Sequence, residues 1–175
     1  MDWYTTVFEV IDMRSFSNLW FWIVLAVVWS SASHWVLGVP FDMVSRARRN
    51  GGQAEADLED LVRINTNRLL FIVDEAGLWL AALVSALLTG MALLGFVYDI
   101  ELAQALFLLA FPMTIVGLLS IASSRKIQNG EGQGEVLWRR LRIHRTLVQA
   151  IGMISIFVTA LFGMFQNLSA HVLTG

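Results

Sequence analysis

Ionisable and hydrogen-bonding side chains set inside long apolar stretches are the residues of this sequence with chemistry to offer. His34 closes the stretch SSASHW (30–35). Ser30 and Ser31 lie about 40° and 60° from it on a helical wheel at 100° per residue. Asp74 and Glu75 interrupt the start of a second apolar stretch. Gln149 stands just inside a fourth, and His144 just before it. An ionisable residue within a membrane is a functional candidate by default. Imidazole titrates near neutrality, so His34 with Glu75 is a pair suited to handling a proton or cation. His34 and His144 supply the two nitrogens a b-type haem requires, with Arg142 or Arg145 near its propionates. The third reading is hydrogen bonding between helices, with His34 as a polar joint of a bundle.

Helices must position these groups. The runs 15–41, 76–98, 102–124 and 146–175 contain no Asp, Glu, Lys or Arg. Each exceeds the roughly 20 residues that cross about 30 Å of hydrocarbon as α-helix. Charged residues make up 15% of the 175-residue chain, where a soluble domain carries about 25%. The strict alternation of a membrane β-barrel is absent. The expected fold is an all-α polytopic membrane protein forming one domain, with spans near 17–38, 72–98, 102–124 and 146–167. Tyr4, Val7, Phe8 and Ile11 recur at helical spacing and predict a short N-terminal interfacial helix.

Eleven of twelve Lys and Arg lie in the connections 41–70 and 125–145. By the positive-inside rule both belong in the cytoplasm, with both termini periplasmic, in a bacterial inner membrane. Leu58, Leu61, Val62 and Leu69 share a face, so the second span is expected to continue out of the membrane as an amphipathic helix, and residues 135–147 do the same for the fourth. Asn50-Gly51-Gly52 and NGEGQG (129–134) read as turns.

The two basic loops match at an offset of 79, as SRARRNG (45–51) against SRKIQNG (124–130), Leu58 against Leu137, and Asn65 against His144. Two parallel helical-hairpin repeats would give this pattern; convergence of Arg-, Gly- and Asn-rich loops would give it too. Small residues form seams for close helix approach at Ala82, Ala86 and Gly90, and at Gly152, Ser155, Thr159 and Gly163. Glu75 shares the face of Ala82 and Ala86 and is expected to point inward. The half of each span far from the basic loops reads as almost purely apolar, which counts against an autonomous channel or carrier.

The chain has no cysteine, which removes disulfides and thiolate ligation, and no metal-ligand spacing occurs. No soluble-enzyme motif is present. A net charge of −2 argues against nucleic acid as a partner.

The stretches DMRSFSNLWFW, SHWVLGVPFDM, RINTNRLL and VQAIGMISIFVTALFGM resemble, along the whole chain, a small family of uncharacterised alphaproteobacterial four-span membrane proteins. Members are sometimes labelled a component of the Suf-type iron–sulphur assembly complex. The resemblance implies an accessory membrane subunit that docks through its cytoplasmic loops. The expected function is therefore non-catalytic, without a resident cofactor or metal. Partners would meet the chain through Arg46, Arg48, Arg49, Arg139, Arg140 and Arg142 or through the helix seams, in lipid, as a homo-oligomer or within a larger complex. The alternatives are the Glu75/His34 proton or cation site and the His34/His144 haem.

Overall fold

The computed structural model describes residues 16 and 18–174. The expected N-terminal helix around Tyr4 to Ile11 lies outside the described residues. Helix α1, Leu19–His34, has 16 residues and is about 24 Å long at 1.5 Å per residue. It is shorter than the span expected over 17–38. Two extended residues, Trp35–Val36 (β1), turn back on Val39–Pro40 (β2), with Val36 opposite Val39. Leu37 and Gly38 between them have φ of 52° and 76°, the doubly left-handed signature of a type I′ hairpin turn. The hairpin ends α1 at His34.

Helix α2, Phe41–Asn50, follows directly. Gly51 and Gly52 then take φ of 58° and 55°, the left-handed region that favours glycine. Helix α3, Gly52–Ala92, runs 41 residues without a break, about 60 Å. Its first half buries Leu58, Val62, Thr66 and Leu70 at a spacing of four, with the expected Leu61 and Leu69 half-buried beside them; its second half is apolar. A π-helical turn, Leu93–Val97, leads to α4, Glu101–Lys126. A second, Ile127–Glu131, is broken at Gly130 and leads to α5, Gly134–Thr174.

Among the described residues, three helical segments are long and apolar enough to cross a membrane, with mean hydropathies of 2.3, 2.3 and 2.0. They are α3 and α4, each with its π-helical turn, and α5. The shorter α1 makes a fourth apolar helix. The apolar windows of α3 and α4 are only 6% and 11% buried, an outward apolar surface that suits a multi-pass membrane protein. Among the described residues the largest cluster of buried apolar side chains sits instead at the basic-loop end, formed by Val36, Val39, Val44, Ala47, Leu58, Val62, Ile127, Leu137 and Leu141.

Across the bundle α3 lies on α4, α4 on α5, and α5 against α1. Small residues of α5 explain the last contact. A Cβ on Gly152 would fall 2.8 Å from the Trp29 ring, and one on Gly163 3.2 Å from Phe16. Both aromatic residues of α1 and its approach are seated in the notches that these glycines leave.

Candidate functional site

Several polar residues of the basic-loop end act as fastenings. Asn65 on α3 donates to the Gly38 carbonyl of the hairpin at 3.2 Å. The Gly134 N–H donates to Glu59 Oε1 at 2.7 Å, joining the start of α5 to α3. Arg145 donates to the Ser33 carbonyl at 3.2 Å and lays its guanidinium 3.9 Å above the Phe41 ring centroid. Arg140 binds both oxygens of Glu131. That bond, then the positive charges of Arg140, Lys126 and Arg139, hold the Glu131 carboxyl below its ordinary range, and the same bond raises Arg140.

His144 stands just before the fourth apolar run, among basic residues. It is 3% exposed, with Nδ1 3.0 Å from Ser123 Oγ. At the offset of 79, Leu58 and Leu137 are both fully buried, as are Val62 and Leu141. Asn65 and His144 each reach back towards the preceding span. The hairpin and α2 have no counterpart in the second loop.

Between α1 and α3, with α4 as its floor, lies a cleft of about 430 Å³. It exists because α1 leans on α5 rather than on α3. Ala32, Leu69, Ile72, Met113 and Val116 give it apolar walls; Asn65, Thr66, Ser120, Ser124 and His144 collect towards the loop end, with Trp35 and Arg68 exposed at the rim. Thr66 and Ser120 donate back to the carbonyls of Val62 and Val116. Ser124 Oγ is buried and has no hydrogen-bond partner among the described residues. Apolar walls with hydroxyls, an amide and an imidazole gathered at one end suit the binding of an amphipathic molecule.

The residues singled out from the sequence are dispersed. His34, Ser31 and Glu75 are exposed, so neither His34 nor Glu75 points into the bundle as expected. His34 touches Trp35 edge-on, and no described contact joins it to Glu75. Asp74 is exposed and 3.9 Å from Arg125. His34 does not line the cleft that His144 lines, so the two imidazoles do not share it. Ser30 and Gln149 do come together, in a shallow groove between α1 and α5 beside Gly152. Of the seams, Gly152, Ser155, Thr159 and Gly163 are buried within the chain, whereas Ala82 and Ala86 are exposed and Gly90 has open space around it. Arg46, Arg48, Arg49, Arg139 and Arg142 are exposed. Among the described residues no three His, Asp or Glu form a metal-ion group.

One polar centre escaped the sequence reading altogether, in the half expected to be apolar. Gln104 is 2% exposed. It donates to the Gly95 carbonyl at 2.8 Å and to Asp99 at 2.9 Å, and accepts from Gln166 at 2.7 Å. A Cβ on Gly95 would fall 2.9 Å from the Gln104 nitrogen. Glu101 nearby accepts from the Phe16 N–H. This hub ties α4, α5 and the turn between α3 and α4. Its sequence signal was two glutamines, one within each of two apolar runs.

Comparison with protein-family models, characterised proteins and solved structures yields no match.

Proposed function

We propose that the chain is an accessory subunit of a bacterial inner membrane, with its basic loops cytoplasmic, and that it docks a partner helix through α3. The observation that carries this reading is the contrast between two seams. The small residues of α5 are filled by Trp29, Phe16 and Trp22 of the same chain. Ala82 and Ala86 on α3 remain uncovered, on a helix face that also carries Glu75. In lipid, small residues let helix backbones approach closely, and polar side chains add hydrogen bonds. The exposed arginines of the loops, Arg46, Arg48, Arg49, Arg139 and Arg142, offer a second contact surface, in keeping with the docking role that the Suf-type resemblance implies. At the loop end Asn65, Glu59, Arg140 and Arg145 are engaged in holding the chain's own elements together, which favours a structural over a catalytic role.

The cysteine-free chain makes the test clean. Single cysteines at Ala82 and Ala86, crosslinked in native membranes, are expected to give one discrete adduct, with none from a cysteine at exposed Met153 on α5. Equal adduct yields from all three positions would reject the seam. For orientation, a membrane-impermeant thiol reagent on intact cells should label Tyr98→Cys and spare Arg49→Cys.

A further inference from the structure

The cleft between α1 and α3 has a shape and polarity that the docking role does not use. Along α4 its lining runs from Met113 to Ser124, eleven residues or about 16 Å of helix. One end of this slot is apolar, at Met113, Val116 and Ile72. The other carries hydroxyls, His144 and the Arg68 guanidinium. Arg68 immediately precedes the apolar stretch that begins at Leu69, so it stands at headgroup depth when α3 spans a bilayer. None of the described residues pairs with it, whereas Arg46, Arg63, Arg125 and Arg140 each have a carboxylate partner. The nearest acid on its helix face, Glu75, is seven residues deeper, about 10 Å, and does not line the cleft.

Independently, the Ser124 hydroxyl is fully buried in the cleft wall and lacks a partner. A buried hydroxyl left unpaired carries an uncompensated desolvation cost, so a hydrogen-bonding ligand group reaching it would be favoured. Basic pockets between spanning helices at the cytoplasmic side are a recognised setting for anionic lipid headgroups.

We propose that the α1/α3 cleft is a binding site for one anionic phospholipid of the surrounding bilayer. An acyl chain lies along Leu69, Ile72, Val116 and Met113. The phosphate meets Arg68, and an oxygen of the glycerol-ester region accepts from Ser124. Trp35 at the rim flanks the headgroup, the depth at which indole is enriched. The hairpin is what keeps the slot open: it diverts the chain after His34, and Asn65 holds the Gly38 carbonyl over the mouth.

The test is native mass spectrometry of the purified full chain in neutral detergent, titrated separately with phosphatidylglycerol, phosphatidylcholine and oleic acid. One phosphatidylglycerol per chain should bind saturably, at least tenfold more tightly than phosphatidylcholine. Arg68→Gln should weaken that binding about tenfold, the scale of one charge-assisted hydrogen bond. Arg68→Lys should keep most of it, and Arg63→Gln, which alters an exposed arginine outside the cleft, should leave it unchanged. Ile72→Trp, at a partly exposed position on the slot wall, should block binding without removing charge. Unfolding temperatures of the lipid-free variants report whether each is folded. Equal binding of the two phospholipids, or wild-type affinity in both Arg68→Gln and Ile72→Trp, would overturn the site and leave Arg68 a snorkelling arginine. Preferential binding of oleic acid would overturn the assignment to a phospholipid.

Discussion

Gly152→Ala is expected to destabilise the chain even though alanine is the better helix former. The added Cβ would lie 2.8 Å from Trp29 Cε3 and 3.2 Å from Cδ2, where carbon atoms prefer about 3.5–4.0 Å. Trp29 is 5% exposed and held among Leu25, Val116 and Val148, so the rigid indole must retreat by about 0.7 Å into a filled space. Overpacking of this kind costs about 1–3 kcal/mol. Replacing glycine by alanine in a helix interior also returns up to about 1 kcal/mol of propensity, which would blur the measurement taken alone. Gly117→Ala on α4 removes that ambiguity, because a Cβ there meets nothing within 4 Å. The propensity and unfolded-chain terms are common to both substitutions and cancel in the difference. What remains is the contact with Trp29, about 2 kcal/mol at mid-range. For a chain of this size that separates the two unfolding temperatures by roughly 4–8 °C. Thermal unfolding of both variants in one mild detergent, followed by circular dichroism, reads it. If Gly152→Ala unfolds at or above the temperature of Gly117→Ala, α1 does not rest on α5 in the way described.

Two further expectations concern the basic-loop end. Gly38→Ala should cost about 1–2 kcal/mol from left-handed strain, since φ is 76° and the new Cβ would fall 2.9 Å from Asn65 Nδ2. Asn65→Ala should cost about 0.5–1.5 kcal/mol for its lost hydrogen bond, and because it removes the clash, the double variant should be less destabilised than the two single costs added; an additive double-mutant cycle would count against the contact. The Glu131 carboxyl is held low by Arg140, so its contribution to stability is complete above its ordinary value of 4.5 and is lost as pH falls below it. Arg140→Gln should remove that acid-side dependence, and an unchanged pH profile of unfolding temperature would refute the linkage.

The long helices and their glycine turns were legible because charge-free length and periodicity report on burial in lipid and on one-sided packing. The end of α1 was not. Trp-Val-Leu-Gly-Val-Pro is as apolar as the helix before it, and hydropathy does not separate an apolar hairpin from another turn of helix. Gly38 and Pro40 were the available signals. Helical phase correctly groups Ser30 with His34, yet phase says which residues share a face and not which face is inward. Phe21, Leu25 and Trp29, spaced by four, form the buried face of α1, and bulk rather than polarity decided it. The burial of His144 was not legible for the related reason that it arises where α5 packs on α4 beside Ser123, a contact between distant parts of the chain. Gln104 was lost because a single amide barely alters the average of an apolar run.

The placement of α1 accounts for both the exposed seam and the cleft. A helix bringing Phe21, Leu25 and Trp29 to one side needs a partner that yields space for large rings, and α5 offers Gly152 and Gly163 at the required heights. On α3, the flat run of Ala82 and Ala86 provides no such notch beside a comparable aromatic stripe. Once α1 is seated on α5, α3 is held in the bundle chiefly through α4. Its far face is then left with small residues uncovered, and its near side with a gap facing α1. The hairpin Trp35–Pro40 bridges that gap only at the loop end, through Asn65 and the core around Val36 and Val39. A substitution that loosens α1 from α5 should therefore reach the cleft as well. Gly152→Ala is expected to weaken phosphatidylglycerol binding relative to Gly117→Ala, although neither residue lines the cleft. Equal lipid affinity in the two variants would mean that the hairpin alone sets the cleft, independently of how α1 is seated.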